Sequence, residues 1–143
     1  MPAPRIVVVD TSVFVSALLR AGGASREVLR RCLRGEFLPL MGAALFAEYE
    51  DVLSREALFG KSTVTAAERE RLLDAFLSVC RWTRIYYLWR PNVRDESDNH
   101  LVELAIAGGA DLLVTRNVRD FRSMQLRFEG LLVARPEDLT KES

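Results

Sequence analysis

The stretch Ile6-Val7-Val8-Val9-Asp10-Thr11-Ser12 decides the fold of this chain. Its first four residues are all β-branched, which is typical of a strand that is buried on both faces within a parallel sheet. Asp10 follows that strand at once, and the residues after it predict a loop and a helix. An aspartate there could be no more than a turn former or a helix N-cap. Directly after a fully buried strand, however, a carboxylate more strongly indicates a functional site.

Strands and helices alternate along the rest of the chain. Four more strands are predicted, at Phe37–Met41, Thr83–Trp89, Leu112–Thr115 and Leu131–Val133. Pro39 makes the first of these a weaker prediction, or an edge strand. The alternation indicates an α/β fold of three layers, α/β/α, with a mostly parallel central sheet of four to five strands. Because the sequence contains no repeat and no linker, we expect a single domain over residues 1–143.

Four further helices are predicted from apolar residues at helical spacing. Ser25 is a good N-cap for the first of them, and Thr65 with Glu68 forms a capping box that opens the third. Residues 55–64 predict a surface loop. The helices are predicted over residues 25–34, 43–55 and 98–107, and over a stretch that begins at Thr65 and includes Cys80.

Composition and charge narrow the class of protein. The chain has 143 residues, of which 49% are hydrophobic and 28% charged, an ordinary globular balance. Lys and Arg total 20, as do Asp and Glu, so nucleic-acid binding would depend on local arrangement rather than on a generally basic surface. Cys32 and Cys80 are too few for a disulfide framework and fit the apolar helix faces as core residues. With neither a signal peptide nor a membrane span in the sequence, we expect a soluble cytoplasmic protein.

Acidic and polar residues follow the predicted strands at one end of the sheet. Right-handed crossovers bring the carboxyl ends of parallel strands to the same edge, where ligands bind in open α/β sheets. Several carboxylates in one pocket repel one another unless a cation is present. Oxygen ligands without His or Cys suit hard divalent ions such as Mg²⁺ or Mn²⁺. The residues that follow the strands in this way are Asp10, Glu48, Asp95, Asp98, Asn117 and Asp120.

Several of these acidic positions have a second interpretation. Helical periodicity places Glu48 and Glu50 on the two edges of one apolar stripe and cannot choose between them. Asp98 could be only a helix N-cap, and Asp120 could only cap the short segment before Phe121. Asp95 fits a loop residue or a supporting group better than a metal ligand.

Other chemistries fit the sequence poorly. His100 is the only histidine, which excludes a His-based zinc site and a histidine-pair ribonuclease mechanism, and we interpret it as structural. A phosphotransfer receiver needs a lysine late in the chain after a strand, whereas the two lysines here are Lys61 and Lys141. A haloacid-dehalogenase-like phosphatase needs a second aspartate at position 12, which is Ser12.

Four segments resemble the motifs of the PIN-domain family, in the order in which that family carries them. Each is weak alone, but together they span nearly the whole chain. The segments are VVVDTS at residues 7–12, LFAEYEDVL at 45–53, DESDNH at 95–100 and ADLLVTRNVRDF at 110–121.

The resemblance implies a PIN-like fold and a Mg²⁺- or Mn²⁺-dependent endoribonuclease, of the kind that serves as the toxin in bacterial toxin–antitoxin pairs. It also implies an RNA substrate, a cognate antitoxin that blocks the site, and a homodimer. By the same resemblance, Asp10, Glu48 and Asp98 are the central metal ligands and catalytic residues. Asp120 would complete or support the metal site.

Supporting residues also follow from the resemblance. Ser12 and Thr115 would orient ligands or phosphate without binding the metal themselves. Asn117 departs from the family pattern, since many relatives have an acid there. An amide oxygen can bind a metal but brings no charge, so a second ion would bind more weakly, and Asp120 would take over the acidic role.

Basic residues follow the fourth predicted strand. Arg116 and Arg119 could hold the RNA backbone, because guanidinium groups bind phosphate with two hydrogen bonds. A solvated charged face is the other interpretation of this segment. The alternative to an enzyme is a catalytically silent PIN module, weakened in metal binding by Asn117, that binds RNA or a protein partner.

Overall fold

The computed structural model describes residues 3–20, 23–60, 62–85, 99–121 and 130–140. Within these ranges the chain forms five strands, seven α-helices and one short 3₁₀-helix. The strands are β1 (Arg5–Val9), β2 (Phe37–Met41), β3 (Arg81–Trp82), β4 (Leu112–Val114) and β5 (Leu132–Ala134). The helices are α1 (Thr11–Leu19), α2 (Ala24–Leu33), α3 (Ala43–Leu53), α4 (Glu56–Phe59), α5 (Ala66–Val79), α6 (Asn99–Gly108) and α7 (Pro136–Thr140), and the 3₁₀-helix spans Val118–Phe121.

The five described strands form one parallel sheet in the order β3-β2-β1-β4-β5. β1 is central, since Val7 pairs with Pro39 of β2 on one side and with Leu112 of β4 on the other. The strand order reverses at β1, so the topological switch point lies at the carboxyl end of this strand. Ligands of open α/β sheets bind at such a point, and Asp10 is the first residue after β1.

Helices cover the sheet and complete the three-layer arrangement that the sequence predicts. α6 packs against β1, β2 and β4, whereas α2 and α5 pack against β2 and against each other. Residues 7–9 of β1 are at most 1% exposed, and residues 112–114 of β4 are fully buried. The uninterrupted β-branched run therefore does mark a strand with two buried faces, and the predicted α/β fold is confirmed.

A glycine pair fixes the end of α6 against β2. A Cβ atom at Gly108 would lie 2.3 Å from Cδ1 of Leu40, which is far inside van der Waals contact. Gly109 follows with φ +68°, a conformation that glycine adopts readily and that commonly ends a helix. α6 therefore ends within one residue of the predicted boundary at 107, and the absence of a side chain at Gly108 lets the helix approach the sheet closely.

Two predictions about single residues are wrong. Gly23 occupies the N-cap position of α2, and Ser25 lies inside that helix, buried, with Oγ 3.3 Å from a guanidinium nitrogen of Arg116. Pro39 lies in a strand with a neighbour on each side rather than at an edge. The sheet tolerates this proline because β3 pairs with β2 only at residues 40–41, beyond the missing N–H group.

Two segments differ from their predicted form. The third strand is predicted over residues 83–89, whereas β3 contains only Arg81 and Trp82. Residues 83–85 are not part of the strand, because β2 ends at Met41 and has no residue left to pair with them. Residues 86–89 of that predicted strand lie outside the described residues. Within the predicted loop at 55–64, four residues form α4, because Phe59 is buried against the core with the Arg69 guanidinium 4.3 Å above its ring.

The predicted capping box at the start of α5 is confirmed. The Glu68 N–H donates to Thr65 Oγ1 at 3.1 Å, and the Thr65 N–H donates to Glu68 Oε1 at 2.9 Å. None of the described helices has the length and apolar composition that crossing a bilayer requires.

The two cysteines are free thiols. Cys32 is fully buried, and Cys80 is partly buried beside the core. Burial raises the pKa of each thiol to about 12, because the thiolate would lose its hydration. Both side chains therefore stay protonated and serve as core residues, as the sequence predicts.

Candidate metal centre

Asp10 lies at the switch point of the sheet with its carboxylate turned into the protein. The residue is 5% exposed, and its N–H donates to the carbonyl oxygen of Val114 in β4 at 3.0 Å. Asp10 occupies the N-cap position of α1, yet its side chain makes no capping hydrogen bond. A capping role therefore does not explain the carboxylate, although the amino end of α1 favours a negative charge there.

Three hydroxyl groups surround the Asp10 carboxylate. Ser12 and Thr115 both donate to Oδ2, at 3.0 and 2.8 Å. Thr11 Oγ1 lies 3.4 Å from Oδ1. These contacts hold the carboxylate plane in one orientation. Because the donors are neutral hydroxyl groups, they stabilise the negative charge of Asp10 without neutralising it.

Backbone N–H groups aim two of these hydroxyls. The N–H of Arg116 donates to Ser12 Oγ at 3.2 Å, and the N–H of Asn117 donates to Thr115 Oγ1 at 3.0 Å. A hydroxyl that accepts from a backbone donor has one hydrogen left to give, and here it goes to Asp10. The loop after β4 thus positions Asp10 through two short hydrogen-bonded chains.

Glu48 of α3 provides the second carboxylate of the cluster. Thr11 donates its one hydroxyl hydrogen to Oε1 at 2.7 Å, and the same hydroxyl oxygen lies 3.4 Å from Asp10 Oδ1, between the two carboxylates. His100 Nε2 lies 2.7 Å from Oε2 on the other side of the carboxylate. Glu50 is exposed instead. Helical periodicity cannot choose between Glu48 and Glu50. In the structure, Glu48 is the one that lies on the side of α3 facing Asp10.

Tyr49 anchors α3 beside the cluster. Its phenol donates to the carbonyl oxygen of Val9, the residue before Asp10, at 2.6 Å. The ring is 1% exposed and packs against Phe14 and Phe76, with centroids 5.3 and 5.9 Å away. Burial, reinforced by the nearby charge of Asp10, raises the pKa of Tyr49 well above its ordinary value. The phenol therefore remains a neutral donor that fixes the distance between α3 and β1.

Among the described residues, the Asp10 carboxylate forms no ion pair with an arginine or a lysine, although it is 5% exposed. Neighbouring carboxylates, one of them buried, are costly without a compensating charge. Carboxylate oxygens with free lone pairs are the ligands that Mg²⁺ and Mn²⁺ prefer, so the residues present fit such an ion.

Of the remaining predicted acidic ligands, the structure describes only Asp120, and it does not bring that carboxylate into contact with the cluster. Asp95 and Asp98 lie outside the described residues. Asp120 lies in the 3₁₀-helix, where its N–H donates to the carbonyl oxygen of Asn117, and its carboxylate makes no hydrogen bond to the cluster within the described chain. Asn117 contributes its backbone N–H rather than its amide. Among the described residues, accordingly, no three His, Cys, Asp or Glu side chains are grouped to hold a metal.

The two predicted RNA-contacting arginines differ in their surroundings. The Arg116 guanidinium forms an ion pair with Glu137 of α7 at 2.8 Å and contacts Ser25 in α2. Arg119 is exposed on the 3₁₀-helix. Arg116 therefore joins the loop after β4 to two helices, whereas Arg119 faces solvent.

Sequence reasoning missed three residues of the cluster. Thr11 lies within the quoted stretch, and a hydroxyl next to a candidate ligand was the signal for it. His100 was interpreted only as structural, although it stands two residues after Asp98 in the third motif. Tyr49 follows Glu48 on the apolar stripe, and no pattern distinguishes its anchoring hydroxyl from an ordinary core tyrosine.

Two solved structures share this fold. VapBC2 from Rickettsia felis, determined with a DNA fragment from its promoter, is 20% identical with a TM-score of 0.57, covering 91% of this chain and 98% of that one. PAE2754 from Pyrobaculum aerophilum is 18% identical with a TM-score of 0.55, covering 98% and 89%. No curated protein sequence matches the chain.

A family model gives the relationship directly. The model described as PIN domain matches residues 6–119, which include β1 through β4 and the start of the 3₁₀-helix. The match contains Asp10, Glu48 and Thr115, the residues that meet at the switch point. The resemblance to the PIN-domain family is thereby confirmed, and the chain belongs to the PIN domain family.

Proposed function

We propose that this chain is a Mg²⁺- or Mn²⁺-dependent endoribonuclease that hydrolyses RNA phosphodiester bonds at the Asp10–Glu48 cluster. The observation that carries the proposal is the pair of carboxylates held by hydroxyl groups at the switch point, of which Asp10 is buried and forms no ion pair with an arginine or a lysine among the described residues. A divalent cation supplies the charge that such a pair requires. Membership in the PIN domain family supports the same conclusion.

In this proposal Asp10 and Glu48 hold the ion, Asp98 is the third ligand, and Asp120 completes or supports the set. Asp98 directly precedes α6 in the sequence, and the first turn of α6 carries His100, which contacts Glu48. When bound, the ion lowers the pKa of water and stabilises charge that develops on the phosphate. Because Asn117 brings no charge, a second ion would bind more weakly than the first.

The other residues of the cluster position these ligands. Ser12 and Thr115 fix Oδ2 of Asp10 and leave lone pairs of Oδ1 for the ion. Asp95 would support the site from the segment before Asp98. Arg119, which faces solvent, is better placed than Arg116 to bind an RNA phosphate.

The proposed biological role is that of the toxin in a toxin–antitoxin pair in the cytoplasm. Its partners would be an RNA substrate, a cognate antitoxin that blocks the acidic cluster, and a second copy of this chain in a homodimer. The fold shared with VapBC2 and the PIN domain match support this role.

Cleavage of a structured RNA by the purified protein tests the proposed activity. We expect internal cleavage in Mg²⁺ or Mn²⁺ and none in EDTA, with activity restored when Mn²⁺ is added in excess of the chelator. A heat-inactivated sample serves as the control for contaminating ribonuclease. Cleavage that is equal in EDTA and Mn²⁺ would contradict the proposal, as would binding of RNA without any cleavage.

A further inference from the structure

His100 contacts Glu48 through one ring nitrogen and leaves the other unpartnered. Nε2 lies 2.7 Å from Glu48 Oε2, and the side chain is 19% exposed. Nδ1 is buried and has no hydrogen-bond partner among the described residues. The two nitrogens of this single histidine thus have opposite surroundings.

These surroundings determine which nitrogen carries the hydrogen. A bare Nε2 would direct its lone pair at a carboxylate oxygen 2.7 Å away, which is repulsive, whereas an Nε2–H donates a charge-assisted hydrogen bond there. A hydrogen on Nδ1 would be a buried donor without an acceptor, an arrangement that proteins rarely contain. Both arguments place a hydrogen on Nε2 rather than on Nδ1.

We propose that His100 is a positioning residue for metal binding, which donates from Nε2 to Oε2 of Glu48 and fixes the orientation of that carboxylate. This inference rests on the proposed function, in which Glu48 is a metal ligand. Thr11 holds Oε1 and His100 holds Oε2, so the carboxylate plane is set from both sides. The orientation of this ligand is thereby set before the ion binds.

Because His100 lies on α6, its hydrogen bond to Glu48 also joins α6 to α3. α6 packs against α3, which carries Glu48, and against β1, which precedes Asp10. Asp98, the proposed third ligand, is the residue before α6. The hydrogen bond from His100 to Glu48 therefore couples the helix that follows one proposed ligand to the helix that carries another.

Nitrogen NMR tests the hydrogen position without any metal. Because the chain has one histidine, labelling with ¹⁵N-histidine yields a single pair of ring resonances. At a fixed, mildly alkaline pH we expect the pattern of the Nε2–H tautomer, and Glu48→Gln should change it. The Nδ1–H tautomer in the wild-type protein would overturn the inference.

Two amide variants then test the positioning role through Mn²⁺ affinity, measured by calorimetry. His100→Gln places an amide nitrogen as many bonds from Cβ as Nε2 and should bind Mn²⁺ nearly as tightly as wild type. His100→Asn cannot reach Glu48 and should bind about 10- to 100-fold more weakly, as is common when a group supporting a ligand is lost. Thermal unfolding of both variants controls for misfolding.

The outcomes separate this inference from the proposed function. Equal Mn²⁺ affinity in wild type and both variants would refute the role of His100 while leaving the metal site intact. A wild-type protein that binds no Mn²⁺ would refute the metal site, and the positioning role with it.

Discussion

The Asp10→Asn variant is expected to fold normally and to lose RNA cleavage. The asparagine oxygen can accept from Ser12 and Thr115 as Oδ2 does, and its amide group can donate to Thr11 where Oδ1 now lies. The hydrogen-bond network survives, so the thermal unfolding midpoint should stay close to that of wild type. The negative charge is lost, however, and with it the main attraction for a cation.

The size of this effect separates a ligand from a supporting group. Loss of a group that only supports a ligand typically costs about 10- to 100-fold in metal affinity or activity, so loss of the ligand itself should exceed about 100-fold. The measurement is the initial rate of RNA cleavage in Mn²⁺. Asp51→Asn is a suitable control, because Asp51 is exposed and paired only with Arg55 on the solvent side of α3. Metal-dependent cleavage at the wild-type rate by Asp10→Asn would show that the site lies elsewhere.

Glu48→Gln and Glu50→Gln form a matched pair with opposite expected results. Both lie on α3 two residues apart, but Glu48 meets Thr11 and His100, whereas Glu50 is exposed. We expect Glu48→Gln to weaken Mn²⁺ binding and cleavage by more than about 100-fold, and Glu50→Gln to match wild type in both. The comparison is made by calorimetric titration with Mn²⁺ and by cleavage rates at saturating Mn²⁺. Similar losses of Mn²⁺ affinity and cleavage rate in both variants would mean that Mn²⁺ binding depends on the net charge of α3 rather than on one ligand.

The same pair of variants tests the alternative of a silent module. A module that binds RNA or a protein without cleaving would show no carboxylate-dependent Mn²⁺ binding, and its RNA affinity would be indifferent to Glu48→Gln. Binding of Mn²⁺ that depends on Glu48, without cleavage of any RNA, would leave a metal site but refute the nuclease.

The sequence predicted the central part of the fold and the position of Asp10 for a common physical reason. A β-branched run of four residues is compatible with few environments other than a strand covered on both faces. Parallel strands have their carboxyl ends on one edge, so Asp10 had to lie at that edge once the sheet was recognised. These inferences depend on local pattern and on the direction of strands, both of which the sequence contains.

Predictions that depended on tertiary partners were less successful. Pro39 predicts a weaker strand or an edge strand, because the local rule cannot show that β3 pairs with β2 only beyond this proline. Ser25 has an N-cap residue type, yet its hydroxyl contacts Arg116, 91 residues away in the chain. His100 and Thr11 gain their roles only when α3 and α6 meet at the end of β1, and neither spacing nor propensity predicts that meeting.

Binding of Mn²⁺ at the Asp10–Glu48 cluster can be observed in a crystal of the protein soaked with Mn²⁺, with data collected at an energy where manganese scatters anomalously. We expect an anomalous peak about 2 Å from a carboxylate oxygen of Asp10 and of Glu48. We also expect that Asp98 completes the set of ligands and that no peak forms in the Asp10→Asn variant. A crystal without a peak at this cluster, at a Mn²⁺ concentration that supports cleavage in solution, would show that Asp10 and Glu48 do not bind the ion.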